Sequence, residues 1–316
     1  MSGVSAARPG SIIRSPAARP RRKASWIARR DRRGRWFVSP FIVLFVAMML
    51  LPLGYAVRES LYATQLIGGT HYVGFANYSA ILSSGDFWSA VEHVVVFGAI
   101  QIPILLVISF FFATIFDLGV ARFGRVLRAI FFIPYAVPAV VGAVLWNFLF
   151  LPSYGPFVHL ANTLGFSNTN FFSSELIWPT IFIIVIWEFM GYNMIILYTA
   201  LKSVPNELVE AAVLDGASLR KIILRVKLPM VRPAITLLVF LNMIGALQLF
   251  VEPQIIGQFQ PQAVSDHFTP TIFIYNTGVG AQEYGQAAAA AVVLGFVIVL
   301  ISVAVLAVRN RRGQIT

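Results

Sequence analysis

The sequence lacks cysteine and is poor in charge. No cysteine occurs among its 316 residues, so disulfide frameworks, thiolate metal sites and cysteine nucleophiles are excluded, while the redox compartment stays open. No histidine lies within helical reach of another, so no metal cluster is predicted; the four are His71, His93, His159 and His267. Charged residues make up 12% of the chain, against about 25% in a typical soluble domain, and 58% is hydrophobic. A lipid bilayer is therefore the solvent that this composition suits.

Long apolar runs recur along the chain. A transmembrane helix needs roughly 20 mostly apolar residues. The runs of this length are Val38–Val57, Val91–Phe116, Val126–Leu151, Leu176–Leu201, Ala234–Ile256 and Ala287–Val308. They predict an all-α, polytopic membrane protein with six transmembrane helices. An even number of spans places both termini on one side of the membrane.

The basic residues indicate which side that is. Of the 24 Lys and Arg residues, 11 lie in the first 35 positions, and 12 more lie after the second, fourth and sixth spans. Only Arg58 falls on the opposite side, which carries seven acidic residues: Glu59, Asp86, Glu92, Glu175, Glu252, Asp266 and Glu283. By the positive-inside rule both termini are cytoplasmic. We therefore predict a basic cytoplasmic tail over 1–36, a transmembrane domain over 37–309 and a second cytoplasmic tail over 310–316.

The first 35 residues are the part of the chain that could bind nucleic acid. Asp31 is their only acidic residue, so their net charge is +10. This Arg-, Pro- and Ser-rich stretch has no hydrophobic periodicity, which is typical of a disordered tail beside anionic lipid headgroups. A secretory signal is not predicted, because the basic region is too long and no small-residue cleavage site follows. We expect contact with membrane lipid and no nucleic-acid partner, with a specific binding arm as the alternative.

The connection between the fourth and fifth spans, 202–233, has a pattern of its own. Pro205 followed by Glu207 is typical of a helix start, since the helix dipole favours acidic residues in the first turn. We expect a helix over Glu207–Ser218 that is interrupted at Asp215-Gly216 by a stop or tight turn. A second amphipathic stretch follows from Leu219. Such a short helix suits a groove on another protein or a place on lipid headgroups, and composition alone leaves both open.

This connection also resembles a known motif. The pattern Glu210-Ala-Ala-x3-Gly216-x9-Val226-x-Leu228-Pro229 matches EAA-x3-G-x9-I-x-LP, the motif of permease subunits in binding-protein-dependent ATP-binding cassette importers, with Val226 in place of Ile. The runs SVPNELVEAA and DGAS are most similar to the carbohydrate-uptake branch, such as the maltose and glycerol-3-phosphate systems. Similar family segments extend over nearly all of the chain after residue 36: GFANYSAIL at 74–82, FFIPYAVPAVVGAVLWNFLF at 131–150, WEFMGYNMIILYTALKSVP at 187–205 and YGQAAAAAVVLG at 284–295. The segment Gly257–Pro261 departs from the Gly-Gly-Pro turn that many family members have at this point. The resemblance therefore does not predict the shape of the last external loop.

The resemblance implies a division of labour among several chains. It implies the type I importer permease fold in a bacterial inner membrane. Expected partners are a second permease chain, an ATP-binding cassette ATPase dimer on the cytoplasmic side, an extracytoplasmic solute-binding protein and a sugar substrate. The resemblance also implies which residues couple to the ATPase, namely those at or beside the positions of the family motif. They are Glu207, Glu210, Ala211, Ala212, Asp215, Gly216, Ala217, Leu228 and Pro229.

The chain has no pattern of its own for ATP hydrolysis. Gly119–Val126 has the glycine spacing of a phosphate-binding loop but lacks the Lys and the hydroxyl that contact phosphate and Mg²⁺. No catalytic triad or metal-ligand pattern is found elsewhere. We therefore expect a non-catalytic subunit that needs no cofactor.

Polar and aromatic residues within the apolar runs are candidates for a solute pathway. Intramembrane polar groups are costly and often functional, and sugars are bound by amides, carboxylates and aromatic rings. The candidates are Tyr135, Trp187, Glu188, Tyr192, Asn193, Asn242 and Gln248. The alternative for each is a structural role, as an interhelical hydrogen bond or an interfacial aromatic. Pro134 and Pro138 are also expected to distort the third span.

Other functions remain open at this stage. A permease for an amino acid, phosphate or polyamine differs only in substrate. A secondary carrier or channel without ATP predicts inverted internal repeats, which the sequence does not display. A membrane anchor or receptor is the remaining class. The sequence does not name the solute.

Overall fold

The computed structural model describes residues 3, 36–65, 69–166 and 169–313. The predicted basic tail lies outside this part of the chain except for Gly3 and Trp36, and so do residues 314–316. The chain divides into two compact units, one ending at Tyr55 and the other beginning at Ala56. Apart from Gly3, the described residues of the first unit belong to helix α1 (Trp36–Glu59), which contains a π-helical segment at Val46–Leu50.

The second unit is almost entirely helical. Its elements are β1 (Tyr62–Gln65), β2 (Gly69–Tyr72), α2 (Ala76–Ser83), α3 (Gly85–Asp117), α4 (Gly124–Ala136), α5 (Ala139–Leu149), α6 (Pro156–Thr163), α7 (Ile177–Lys202), α8 (Asn206–Leu214), α9 (Leu219–Lys221, continuing as π-helix over Ile222–Lys227 and ending with Leu228–Met230), α10 (Arg232–Leu247), α11 (Val251–Phe259), α12 (Pro270–Tyr275, followed by a π-helical turn over Asn276–Gly280) and α13 (Tyr284–Gly313).

Five of the six predicted spans correspond to candidate membrane helices, and the third corresponds to a bent helix pair. Among the described residues, five helices are long and apolar enough to cross a membrane: α1, α3, α7, α10 with α11, and α13. The distortion expected from the prolines of the third span, Val126–Leu151, is found as a sharp bend, since α4 and α5 meet at an angle of 97°. Pro138 is the cause: it lacks an N–H and disfavours helical backbone at Val137, which is extended at ψ 131°.

Helix α3 begins six residues earlier than the apolar run predicts. The Ser84 hydroxyl accepts a hydrogen bond from the backbone N–H of Phe87 at 3.2 Å and caps the helix. The helix therefore starts at Gly85 rather than Val91.

Two close backbone approaches fix the packing of the second unit. A Cβ at Gly191 of α7 would lie 1.8 Å from the carbonyl oxygen of Phe131, so glycine lets α4 lie directly on α7. A Cβ at Gly285 would lie 1.9 Å from the Tyr62 carbonyl oxygen, which brings α13 against the β1–β2 hairpin. The buried Asn77 amide donates to the carbonyls of Ser60 and Tyr62, both at 2.9 Å. These contacts order a connection that the sequence presents only as an external loop.

Candidate functional site

A cavity of about 430 Å³ lies among α3, α4, α7, α10 and the start of α11. Polar side chains from each of these elements line it: Gln101, Tyr135, Glu188, Tyr192, Asn242, Gln248 and Glu252. The rest of the lining is apolar or aromatic and includes Phe97, Phe189 and Phe250. A mostly apolar concavity with a few converging polar groups is the usual form of a small-molecule site.

Five of the seven residues predicted to line a pathway meet in this cavity. Glu188 and Tyr192 are four residues apart on α7 and so share a helix face. Tyr135 occupies the last turn of α4, just before the bend, and its ring stacks on that of Tyr192 with centroids 4.6 Å apart. Asn242 and Gln248 come from the end of α10. The structure thus brings together side chains that are more than 100 residues apart in sequence.

The remaining two predicted pathway residues, Trp187 and Asn193, do not line the cavity. Each is one position from a lining residue, and successive helix positions differ by about 100° around the axis. Trp187 packs edge-on against Trp146 of α5, with centroids 5.6 Å apart. Asn193 is fully buried and accepts a hydrogen bond from the Asn242 amide at 2.7 Å. The surroundings of Trp187 and Asn193 therefore fit a structural role, as a packed aromatic and an interhelical hydrogen bond, better than a place in the pathway.

Two polar lining residues were missed by the sequence prediction. Gln101 of α3 is 2% exposed and is the lone polar residue between Val94 and Leu106, the same signal that singles out Glu188. The charge pattern predicts an external position for Glu252, but its side chain lies in the cavity, where it is 6% exposed and its carboxyl group adjoins that of Glu188. The helix breaks between Leu247 and Val251, and this break turns the first turn of α11 inward.

The motif-bearing connection forms an exposed helix with a tight stop. Helix α8 covers Asn206–Leu214, so the predicted extent Glu207–Ser218 is too long. Gly216 adopts φ +72°, its N–H donates to the Val213 carbonyl, and Ala217 N–H donates to that of Ala212, both at 2.9 Å. This pair of bonds is a Schellman motif, which requires a left-handed residue and therefore favours glycine. The stop predicted at Asp215-Gly216 is confirmed.

The motif residues differ in their solvent exposure. Glu207, Glu210, Ala211, Asp215 and Gly216 are exposed, whereas Ala212, Ala217, Leu228 and Pro229 are half-buried. Helix α8 has no buried residue, and it also exposes Leu208, Val213 and Leu214. Contiguous exposed apolar groups beside acidic ones are typical of a protein-binding surface.

Both ends of this connection are anchored in the core of the second unit. Val204 before α8, Ile222 in α9 and Val231 before α10 are at least nine-tenths buried. Helix α8 is therefore a largely exposed element held between fixed points, and its partly buried Val209 packs against the cluster that contains Val204 and Val231.

A buried carboxylate ties α9 to the ends of α3 and α7. The side chain of Asp117, the last residue of α3, is 3% exposed. Lys202 at the end of α7 lies 3.1 Å from this carboxylate and also donates to the Asp117 carbonyl at 2.9 Å. Lys227 of α9 donates a hydrogen bond to the other carboxylate oxygen. We call these three residues the Asp117 cluster. Charge-assisted bonds of this kind are among the strongest in proteins.

Comparison with known proteins gives a consistent family match. Residues 106–312 match the family described as "Binding-protein-dependent transport system inner membrane component". The sn-glycerol-3-phosphate transport system permease protein UgpA of Salmonella choleraesuis is 30% identical over 86% of this chain and 93% of its own length. The diacetylchitobiose uptake system permease protein DasB of Streptomyces coelicolor is also 30% identical, over 79% of this chain and 77% of its own.

Solved structures match the fold. One is a chain of a bacterial alginate transporter of the ATP-binding cassette class, crystallised with an alginate pentasaccharide-bound periplasmic protein. It superimposes with a TM-score of 0.72 over 90% of this chain and 96% of that chain, at 20% identity. At this identity the match establishes the fold alone.

Proposed function

The chain belongs to the family of binding-protein-dependent transport system inner membrane components, and we propose that it is the permease subunit of an ATP-driven importer for a sugar or oligosaccharide. Its role is to form half of the translocation pathway and to couple that pathway to a separate ATPase. The chain itself hydrolyses no ATP. Named sugar-uptake relatives such as DasB support the sugar assignment.

The proposed orientation places both termini, α8 and α9 in the cytoplasm. The distribution of 23 of 24 basic residues on alternate connections supports it. The β1–β2 hairpin and α2 then face the extracytoplasmic side, where a solute-binding protein delivers the substrate.

The observation that carries the proposal is the exposed, firmly anchored helix α8. An ATPase can move the permease only through an element that it binds. That element must also be firmly attached to the transmembrane helices. Helix α8 offers exposed motif residues to a cleft on the ATPase, and the Asp117 cluster fixes the following segment to α3 and α7. Gly216 keeps the turn between these two parts compact.

The cavity is the part of the pathway on which this movement acts. Helix α7 carries Glu188 and Tyr192 near its middle, in the cavity, and Lys202 at its C-terminal end, in the Asp117 cluster. Helix α3 likewise joins Gln101 to Asp117. A displacement of α8 and α9 is thereby passed to both helices and changes the cavity wall. A second permease chain supplies the facing half.

The proposal is tested by isolating the complex from its native membrane. Affinity purification of the full-length chain should recover a second permease chain, an ATP-binding cassette ATPase and a solute-binding protein. In proteoliposomes this complex should accumulate a labelled sugar only with ATP and the binding protein present. ATPase activity with a panel of sugars, amino acids and phosphate identifies the solute class. Sugar accumulation that continues without the ATPase would contradict the proposal and indicate a secondary carrier.

A further inference from the structure

The charge of the cavity wall points to the class of solute that it takes. Two carboxyl groups, those of Glu188 and Glu252, line it, and none of the described residues that line it is Lys, Arg or His. Both glutamates are more than nine-tenths buried. Neither takes part in an ion pair with a described residue.

The other polar groups of the wall are neutral. Gln101, Asn242 and Gln248 contribute amides, and Tyr135 and Tyr192 contribute hydroxyl groups. Together with the carboxyl oxygens they can both donate and accept hydrogen bonds. The stacked tyrosine rings, inclined by only 19° to each other, add an apolar aromatic surface. Hydroxyl groups and the apolar face of a sugar ring match these two kinds of surface.

We propose that this cavity selects neutral polyhydroxylated solutes and discriminates against anionic ones. The inference rests on the proposed import function. The two adjoining carboxyl groups cannot both ionise, but they can share one negative charge. An anionic solute would bring a like charge beside it, without a basic residue of this wall to pair with it. Burying an unpaired charge is strongly unfavourable, and repulsion is strongest where water is excluded. A neutral solute instead satisfies the buried acceptors with its hydroxyl groups.

The names of the relatives do not decide this point. UgpA is named for sn-glycerol 3-phosphate, and a matching structure is described as importing the acidic polysaccharide alginate, so both names refer to anions. DasB is named for diacetylchitobiose, which is neutral. The inference therefore depends on the carboxyl groups of this chain, and it separates solutes of similar size by charge.

The test compares uptake of neutral sugars with that of their phosphorylated or uronate counterparts by the complete transporter. Neutral-to-anionic uptake ratios are measured for the unaltered chain and for the double variant Glu188→Gln with Glu252→Gln. The same binding protein is used throughout, so a change in the ratio reports the cavity. We expect the unaltered transporter to prefer the neutral solute by about tenfold or more, and the double variant to lose most of that preference.

Two further variants serve as a control and as a test in the opposite direction. Glu283→Gln removes an exposed carboxyl group outside the cavity and should leave the ratio unchanged. Gln248→Glu adds a third carboxyl group to the wall and should raise the ratio, so the expected effect appears in both directions.

The outcomes separate this inference from the function on which it rests. A ratio that neither the double variant nor Gln248→Glu alters, or one that the double variant shifts further toward the neutral solute, would overturn the inference while leaving the importer intact. Failure of the complete transporter to accumulate any solute with ATP would overturn the proposed function and this inference with it.

Discussion

Asp117 and Lys227 are 110 residues apart in the chain and form a hydrogen-bonded ion pair at the base of the α8–α9 segment. The carboxylate is 3% exposed and the Lys227 side chain 12% exposed. Lys202, on the same carboxylate, is about half exposed and therefore contributes less. This pair is a direct polar link between α9 and the end of α3, in addition to the buried anchors Val204, Ile222 and Val231.

Replacing Asp117 by Asn should uncouple hydrolysis from uptake. The change removes the negative charge from bonds worth about 1.5–3 kcal/mol each when buried, and it leaves the Lys227 ammonium group with at most a neutral amide oxygen as its acceptor. Since about 1.4 kcal/mol is a factor of ten, weakening the buried Lys227 bond alone should lower the solute transported per ATP hydrolysed by at least about tenfold, while ATPase activity persists. Uptake and phosphate release are measured on the same proteoliposomes. The exchange Asp117→Lys with Lys227→Asp should restore part of the coupling, and Lys221→Gln, at an exposed position, is the control. Normal stoichiometry in Asp117→Asn would rule out this link.

Gly216 should tolerate a side chain poorly. Its φ of +72° costs an L-residue about 1–2 kcal/mol, and a larger residue also stands on the surface offered to the ATPase. Gly216→Asp is expected to leave membrane insertion intact and to reduce uptake more than ATPase activity. Gly85→Asp, at an exposed glycine that begins α3, is the matched control, because the helix start accommodates an acidic residue. Unaltered uptake by Gly216→Asp would count against the proposed coupling.

Gly191→Ala should destabilise the protein. The new Cβ would meet the Phe131 carbonyl oxygen at 1.8 Å, so α4 and α7 must separate. Overpacking of this kind costs about 1–3 kcal/mol. Thermal unfolding of the purified complex should show a clear fall in Tm, whereas Gly245→Ala, whose Cβ meets no atom within 4 Å, should show little change. Equal Tm values for the two variants would refute this packing.

Alanine substitutions of Asn193 and Asn242 should distinguish a structural role from a role in the solute pathway. Each alanine variant should lose about 0.6 kcal/mol of stability, up to about 1.7, as membrane interhelical hydrogen bonds do. A double-mutant cycle should show coupling of that size. Only Asn242 lines the cavity, so Asn242→Ala should also alter solute uptake at equal protein level, while Asn193→Ala should not. Uptake defects of the same size in both variants would contradict this separation.

Much of this arrangement follows from local sequence. Hydropathy and basic residues predict the spans, and the stop at Gly216 is predictable because a left-handed helix cap requires glycine. The 3.6-residue period places Glu188 and Tyr192 together, and the same period explains why their neighbours Trp187 and Asn193 point elsewhere. The angle at Val137-Pro138 is not predictable, since proline indicates a break but not its size.

Other features depend on contacts between distant segments. The Asp117 cluster joins three helix ends whose meeting no local pattern specifies. Glu252 lies in the cavity because the helix is broken between α10 and Val251. The apolar run continues through this position, so the sequence gives no sign of the break. Gln101 carries a visible signal as a lone polar residue within its apolar run.

The central claim is that α8 is the element an ATPase grips, and cysteine crosslinking tests it most directly. The chain has no cysteine, so Val213→Cys on exposed α8 would be its only thiol, with His71→Cys on the β1–β2 hairpin as the control. In membranes that are accumulating solute, the cysteine at position 213 should crosslink to the ATPase, with a yield that changes on ATP binding, and the one at position 71 should not. If position 213 never crosslinks to the ATPase under these conditions, the account is wrong.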